Sequence, residues 1–403
     1  MEKSKYISSV YRELLPQEET LEIGLKKEKL YIGLPKETSL QENRVTLNPE
    51  AVALLINNGH RVVIERGAGN AANFTDNHYS EAGAEIAESP NEVYKADIIM
   101  KVEPLTLKEI ELLHSKQTVF SALQITTHPK DYIKKLIAKK VTALAFDYIQ
   151  DEHCKYPVIR SMGEIAGNTS ILIAAELLSN VNNGNGLMLG GIAGVPATEV
   201  VIIGAGTVGE FAARSAIGLG ATVKVFDNSL YKLRRLQNDL GMQVFTCIMQ
   251  PELLASELKR ADVVIGAIRS DQRLTPCVVL EEMVENMKSG SVAIDVSIDQ
   301  GGCFETSKIT DLKNPTFIKH GVVHYCVPNI TSRVARTASH ALSNIFAPIL
   351  LKMGEVGGAK SLIKINPGVR HGVYLYNGIL TNKMLGETLS LPYKDMDLLI
   401  AAF

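Results

Sequence analysis

The chain has 403 residues, more than one ordinary hydrophobic core accommodates, so two domains are expected. Hydrophobic residues make up 46% and charged residues 21%, with a formal charge of -2, which excludes the cationic excess of a nucleic-acid binder and the bias of a disordered chain. The opening residues are polar, without a signal-peptide pattern, and the apolar runs are broken by Gly or charge before they could span a bilayer, so no membrane partner is expected.

Residues 1–30 read as an accessory arm, with a short helix stopped or kinked at Pro16. From residue 31 strand and helix alternate. Strands are expected at 31–34, 61–65, 97–102, 118–123 and 142–148, with helices at 50–59, 105–114 and 129–140. Two apolar helices, over 164–181 and 333–355, flank a second series. Its strands are expected at 199–204, 222–227, 243–247, 262–267 and 292–296, and its helices at 207–220, 229–241, 251–260 and 279–288. A further strand within 317–329 carries His320 and His324, both read as buried, hydrogen-bonded core residues. This alternation predicts an α/β fold: two Rossmann-like doubly wound domains with mostly parallel sheets, linked by long helices around a central cleft. The expected boundaries are an arm at 1–30, a substrate domain over 31–165 completed by 346–403, and a dinucleotide domain over 166–345. The Gly-rich 184-GNGLMLGGIAGVP-196 reads as a site rim, a hinge or a loop without ligand contact.

The most specific local feature is 199-EVVIIGAGTVGEFAARSAIGLGATVKVFDNS-229, a GxGxxG at Gly204, Gly206 and Gly209 between an apolar strand and an amphipathic helix. Gly204 permits the tight turn, Gly206 lets backbone approach a pyrophosphate, and Gly209 permits close helix–strand packing. Thr207 and Val208 open the helix, whose first amides suit a phosphate. Asp227 closes the next strand, where its carboxylate would accept from ribose hydroxyls and repel a 2′-phosphate. The cofactor expected is NAD; a plain turn aspartate beside Asn228 is the alternative.

Ligands of open α/β sheets collect at strand carboxyl ends, and three polar segments fall there. The first, 35-PKETSLQENRVTLNP-49, offers Lys36, Glu37, Asn43 and Arg44. Lys101 ends an otherwise apolar strand, where either a ligand or a carboxylate partner would satisfy it. Asp299 follows another apolar strand and precedes a Gly pair, a position suited to a mobile polar loop. Asn329, beside Pro328, would meet the nicotinamide. The cysteines, Cys154, Cys247, Cys277, Cys303 and Cys326, form no CxxC or zinc-like cluster; they fit reduced thiols in the cytoplasm, and no metal is expected.

The motifs 33-GLPKETSLQENRVTLNP-49, 97-DIIMKVEP-104, 161-SMGEIAGN-168, 294-IDVSIDQGGCFET-306 and 319-KHGVVHYCVPNI-330 resemble those of the alanine dehydrogenase family, related to the soluble nucleotide-binding part of proton-translocating transhydrogenase. The resemblance runs over roughly residues 30 to 400. It implies reversible NAD-dependent deamination of L-alanine to pyruvate and ammonia. It also implies that Arg44 holds the substrate carboxylate, that Lys101 contacts the carboxylate or carbonyl, and that Asp299 supports water and iminium chemistry. The implied dinucleotide contacts are Gly204, Gly206, Thr207, Val208, Gly209, Asp227, Ile268, Asp299, Asn329 and Ile330. The family's acid/base histidine falls on Gln124, which hydrogen-bonds an amine or carbonyl but exchanges no proton near neutral pH. His128 and Lys101 are then the alternative proton carriers.

The partner expected is therefore a small amino acid or 2-oxo acid, with no nucleic acid, in a homo-oligomer (dimer or hexamer). Other readings are an opine- or saccharopine-type dehydrogenase with a different substrate, a noncatalytic NAD-binding regulatory protein and, lowest, a transhydrogenase component.

Overall fold

The computed structural model describes residues 27–39, 41–123, 130–182, 184–269 and 274–401. Residues 1–26 of the expected arm, with Gln124 and His128, lie outside them. Six strands come first: β1 (Tyr31–Leu34), β2 (Arg61–Glu65), β3 (Glu85–Ala87), β4 (Ile98–Met100), β5 (Thr118–Ser121) and β6 (Thr142–Ala145). Seven follow: β7 (Glu199–Ile203), β8 (Thr222–Phe226), β9 (Phe245–Cys247), β10 (Val263–Gly266), β11 (Val292–Asp295), β12 (Thr316–Lys319) and β13 (Val322–Tyr325). Two more, β14 (Val373–Tyr376) and β15 (Ile379–Leu380), return to the first sheet.

The first sheet has the order β15-β14-β6-β5-β4-β1-β2-β3, the second β12-β13-β11-β10-β7-β8-β9. All pairs are parallel except β12–β13, β14–β6 and β14–β15. Each sheet therefore reverses its winding once, between β1 and β4 and between β7 and β10. At such switch points the connections leave to opposite faces and open a crevice for ligand.

The strands are apolar on both faces because helices cover both. Ile32, Val62, Ile98, Phe120 and Leu144 pack on one side of the first sheet. Val63, Ile99, Val119 and Ala143 pack on the other. In the second sheet Val200, Ile202, Val263 and Ile265 enter one cluster, while Val201, Ile203 and Val264 enter the opposite one. This is the period-2 alternation of a strand, and each such side chain contributes roughly 1.5–3 kcal/mol on burial.

Several expected elements change. The first long helix runs over Pro157–Leu177 rather than 164–181, because Pro157 sits at its first turn, where its missing N–H costs nothing. The single strand expected within 317–329 is a hairpin. His320 and Gly321 form its two-residue turn at φ 52° and 75°, as a tight hairpin requires. His320 is thus a turn residue bonded to Glu281 at 2.7 Å, not a core strand histidine. His324 does lie buried in β13, bonded to Thr306 and the Val322 carbonyl. Strand β3 and the β14–β15 hairpin were not expected; the latter turns at Asn377–Gly378, both at positive φ. Among the described residues no helix is long and apolar enough to cross a membrane.

The Pro157–Leu177 helix packs on the Thr207–Gly218 helix at Gly167, where a Cβ would lie 2.4 Å from the Val208 carbonyl oxygen and 2.8 Å from the Ala212 amide. Neither obstacle is a movable side-chain tip. Gly167→Ala is therefore expected to force the two helices apart at a cost of about 1–3 kcal/mol, read as a lower urea midpoint. An unchanged midpoint would contradict this packing.

Candidate active site

β7 is buried along nearly its whole length and is followed by Gly204, whose φ of 114° suits no other residue well. A Cβ at Gly204 would lie 2.5 Å from the Ala267 carbonyl oxygen, and one at Gly209 1.9 Å from the Gly204 carbonyl oxygen. At Gly206 a Cβ would meet nothing within 4 Å. The first and third glycines thus close the turn against β10 and the helix, while the second faces open space. Gly206 caps the Thr207–Gly218 helix without a side-chain hydrogen bond, so Thr207 and Val208 begin a helix whose first amides remain available to an anion. Asp227, buried just after β8, accepts from the Ala205 amide at 2.8 Å and the Ser229 amide at 2.7 Å. It braces the glycine turn, and a carboxylate has lone pairs left for a ribose. Ile268 lies two residues past β10, at the switch point.

Arg44 is placed from the other half of the molecule. The loop after β1 is zipped onto the Ala335–Glu355 helix and the turn before it. The amides of Asn43, Val45 and Asn48 donate to the hydroxyls of Ser332, Ser339 and Ser343 at 2.8, 2.9 and 2.8 Å. Between these rungs Arg44 makes a two-pronged pair with Glu42, from Nε at 2.8 Å and Nη2 at 2.6 Å, and its Nη1 donates to Thr331 Oγ1 at 3.0 Å. Burial works against the Arg44 charge, but the adjoining Glu42 carboxylate more than offsets it and raises the pKa. Asn329, in the left-handed region at φ 56°, joins the halves. Its Nδ2 donates to Glu42 at 2.7 Å, its backbone amide donates to Asp299 at 2.9 Å, and its Oδ1 accepts from Thr331 at 3.1 Å. Ile330 is buried behind it.

Asp299 lies in the short 3-10 turn Val296–Gln300. The Asp295 carboxylate holds that loop by accepting from the amides of Ser297 and Cys303 and the hydroxyl of Ser307. Asp299 opens to solvent at the cleft, yet the walls around its carboxylate limit hydration, and its pKa is raised by desolvation against the opposing pull of the Asn329 amide and Arg44. Beside Arg44 a cavity of about 210 Å³ is lined by Lys36, Glu37, Glu42, Asn43 and the Gly67–Ala71 turn.

Arg44, Asp299 and Asn329 are thus brought into one network, and Gly204, Gly206, Gly209, Asp227 and Ile268 into the switch point of the second sheet. Lys101 takes the carboxylate partners that were one of the two alternatives for it. Its side chain has no exposed surface and its Nζ lies 3.2 Å from Glu109 and 3.5 Å from Glu37. Two carboxylates satisfy the buried ammonium and hold it behind the cavity wall. Glu42, Glu109 and Thr331 were not singled out in the sequence; Glu42 had one signal, an acid two residues before Arg44. Asp147, beside Leu123, was also missed; desolvation pushes it up to about 6, against the Leu123 amide, Arg44 and Arg269.

Comparison with known proteins places this arrangement. The model of the alanine dehydrogenase/PNT N-terminal domain matches residues 33–166, and that of the alanine dehydrogenase/PNT C-terminal domain matches residues 170–383. Alanine dehydrogenase 2 of Staphylococcus aureus strain USA300 is 38% identical over 367 residues, covering 91% of this chain and 98% of its own. The strain Mu50 protein is 39% identical over 370 residues, with the same coverage of 91% and 98%. Among solved structures, an L-alanine dehydrogenase aligns with a TM-score of 0.83 and 33% identity, over 89% of this chain and 99% of that one. A transhydrogenase from Sinorhizobium meliloti shares the fold, with a TM-score of 0.75 and 24% identity over 88% of this chain and 99% of that one. With both domain models matched in order along the chain, the protein belongs to the alanine dehydrogenase/PNT family.

Proposed function

We propose that the chain is an NAD-dependent alanine dehydrogenase that interconverts L-alanine with pyruvate and ammonia. The observation that carries the reading is the hydrogen-bonded path from Arg44, at the small cavity, through Glu42 and Asn329 to Asp299. The residues present fit NAD. The open space at Gly206 and the uncapped amides at Thr207 and Val208 suit its pyrophosphate, and Asp227 suits an unphosphorylated ribose. Ile268, Asn329 and Ile330 stand at the nicotinamide end. When bound, NAD accepts the hydride that leaves Cα.

The chain's own residues then have distinct tasks. Arg44 anchors the substrate carboxylate, with Glu42 and Thr331 fixing the orientation of its guanidinium. Asp299 orients the water that adds to the iminium. Gln124 hydrogen-bonds the substrate's nitrogen or oxygen without exchanging a proton. Lys101 is assigned to hold Glu37 and Glu109 rather than to touch the substrate. We divide the chain into an arm at 1–30, a substrate domain at 31–165 with 346–403, and a dinucleotide domain at 166–345; the return of β14 and β15 to the first sheet supports this. The five free thiols support a cytoplasmic setting. The exposed Met188, Ile192 and Val195 of the Gly-rich loop support a homo-oligomer (dimer or hexamer). The pairing of Lys101 with two carboxylates favours a second reading, an amino-acid dehydrogenase of this family with a different substrate.

Purified protein is expected to produce NADH with L-alanine and to consume it with pyruvate and ammonium. Asp299→Ala should lower kcat by about 10²–10⁴-fold, the range typical of a lost acid/base or water-positioning group. Binding of NADH without turnover in either direction contradicts the assignment, and turnover only with another amino acid favours the second reading. Asp227→Ala should narrow the preference for NAD over NADP by about tenfold or more, because like charges brought together cost several kcal/mol. An unchanged ratio of kcat/KM values would remove Asp227 from cofactor selection.

A further inference from the structure

We propose that Glu37 takes and returns the proton on the substrate's nitrogen, as the cavity-facing member of a buried Glu37–Lys101–Glu109 cluster. The proposal rests on the reading of the chain as an amino-acid dehydrogenase. In the cluster one ammonium lies between two carboxylates, at 3.5 Å from Glu37 and 3.2 Å from Glu109, with side chains 0%, 8% and 10% exposed. Full ionisation leaves a net negative charge where water is scarce, so one carboxyl holds a proton that it can exchange. Both carboxyls accept from backbone amides, Glu109 from Thr106 at 2.6 Å in the capping box of its helix and Glu37 from Val102 at 2.6 Å, so what separates them is position. Glu37 lines the cavity.

The other titratable groups around that cavity serve less well. Glu42 gives both oxygens to Arg44, and an arginine keeps its proton. Lys36 is exposed at the rim, and no histidine is among the described lining residues. The charges that face Glu37 pull in opposite directions. Burial acts first and raises its pKa; Glu42 and Glu103 raise it further, while Lys101 and the Val102 amide lower it. The result is a carboxyl pushed up to about 8, able to change protonation under physiological conditions. Tyr94 and Glu109 complete the surroundings.

In the oxidative direction the substrate ammonium gives one proton to the Glu37 carboxylate: an N–H bond breaks and an O–H bond forms. The freed nitrogen lone pair makes the C=N bond as hydride leaves Cα for the nicotinamide. In the reverse direction hydride arrives at Cα, and Glu37 returns its proton to the amine.

The test is the pH profile of kcat/KM with L-alanine and NAD for the wild type, Glu37→Gln and Glu103→Gln, with NADH affinity read separately by fluorescence. A wild-type profile that falls on its acid side is expected. Glu37→Gln should lose that limb and about 10²–10⁴-fold in kcat while binding NADH normally. Glu103→Gln, which removes a neighbouring negative charge, should move the limb to lower pH with turnover retained. An active Glu37→Gln with the wild-type limb overturns the proposal and leaves the dehydrogenase reading standing. If Glu37→Gln does not fold, an unmoved limb in Glu103→Gln overturns it alone. A wild type that turns over no amino acid overturns the reading and the proposal together.

Discussion

The Glu42 carboxylate is the point on which the two halves of this protein meet. Its side chain is fully buried, and it accepts from Arg44 on one side and Asn329 on the other. A carboxylate out of water without partners is several kcal/mol too costly, so Glu42, Arg44 and Asn329 are constrained to move as one unit. The same constraint explains the backbone of Asn329. An asparagine tolerates the left-handed region better than most residues, and there its amide reaches Asp299 while its side chain reaches Glu42. Arg44 and Asp299, 255 residues apart, thereby sit in one hydrogen-bonded frame.

The two sheets prepare this meeting in the same way. In each, the strand order reverses beside the first strand, and the segment leaving that strand carries candidate site residues: Glu37 and Arg44 after β1, Gly204 to Gly209 after β7. The glycine turn works through backbone and needs little room. The loop after β1 carries charged side chains, so it needs counter-charges, and these are Glu42 for Arg44 and Lys101 for Glu37, while the serine rungs, Thr331 and Asn329 add neutral hydrogen bonds. Lys101, at the end of β4, belongs to the same logic, since a cation at a buried strand end is held by carboxylates on either side.

What was legible in the sequence follows the range of the interactions. The glycine turn, its strand and its helix are local, so Gly204, Gly206, Gly209 and Asp227 could be read from spacing alone. The sheet class was equally legible, because apolar runs alternating with amphipathic stretches leave few architectures. Glu42 was not: its partner Arg44 is two residues away, but its burial depends on Asn329, 287 residues further on. For Lys101 the choice between a ligand and a carboxylate partner stayed open in the sequence, because Glu37 and Glu109 enter its surroundings only through the fold. The hairpin at His320–Gly321 hid inside an apolar run; the one at Asn377–Gly378 carried an Asn-Gly signal after the region where strands were sought.

A double-mutant cycle on NADH affinity tests this frame most directly, with Glu42→Gln, Asn329→Ala and the pair. If Glu42 joins the substrate side to the dinucleotide side, each single change weakens NADH binding and the pair is little worse than the stronger of them. The interaction energy would then be about 0.5–3 kcal/mol, as for residues in one network. Two effects that simply add, or a Glu42→Gln protein that binds NADH like the wild type, would contradict the coupling.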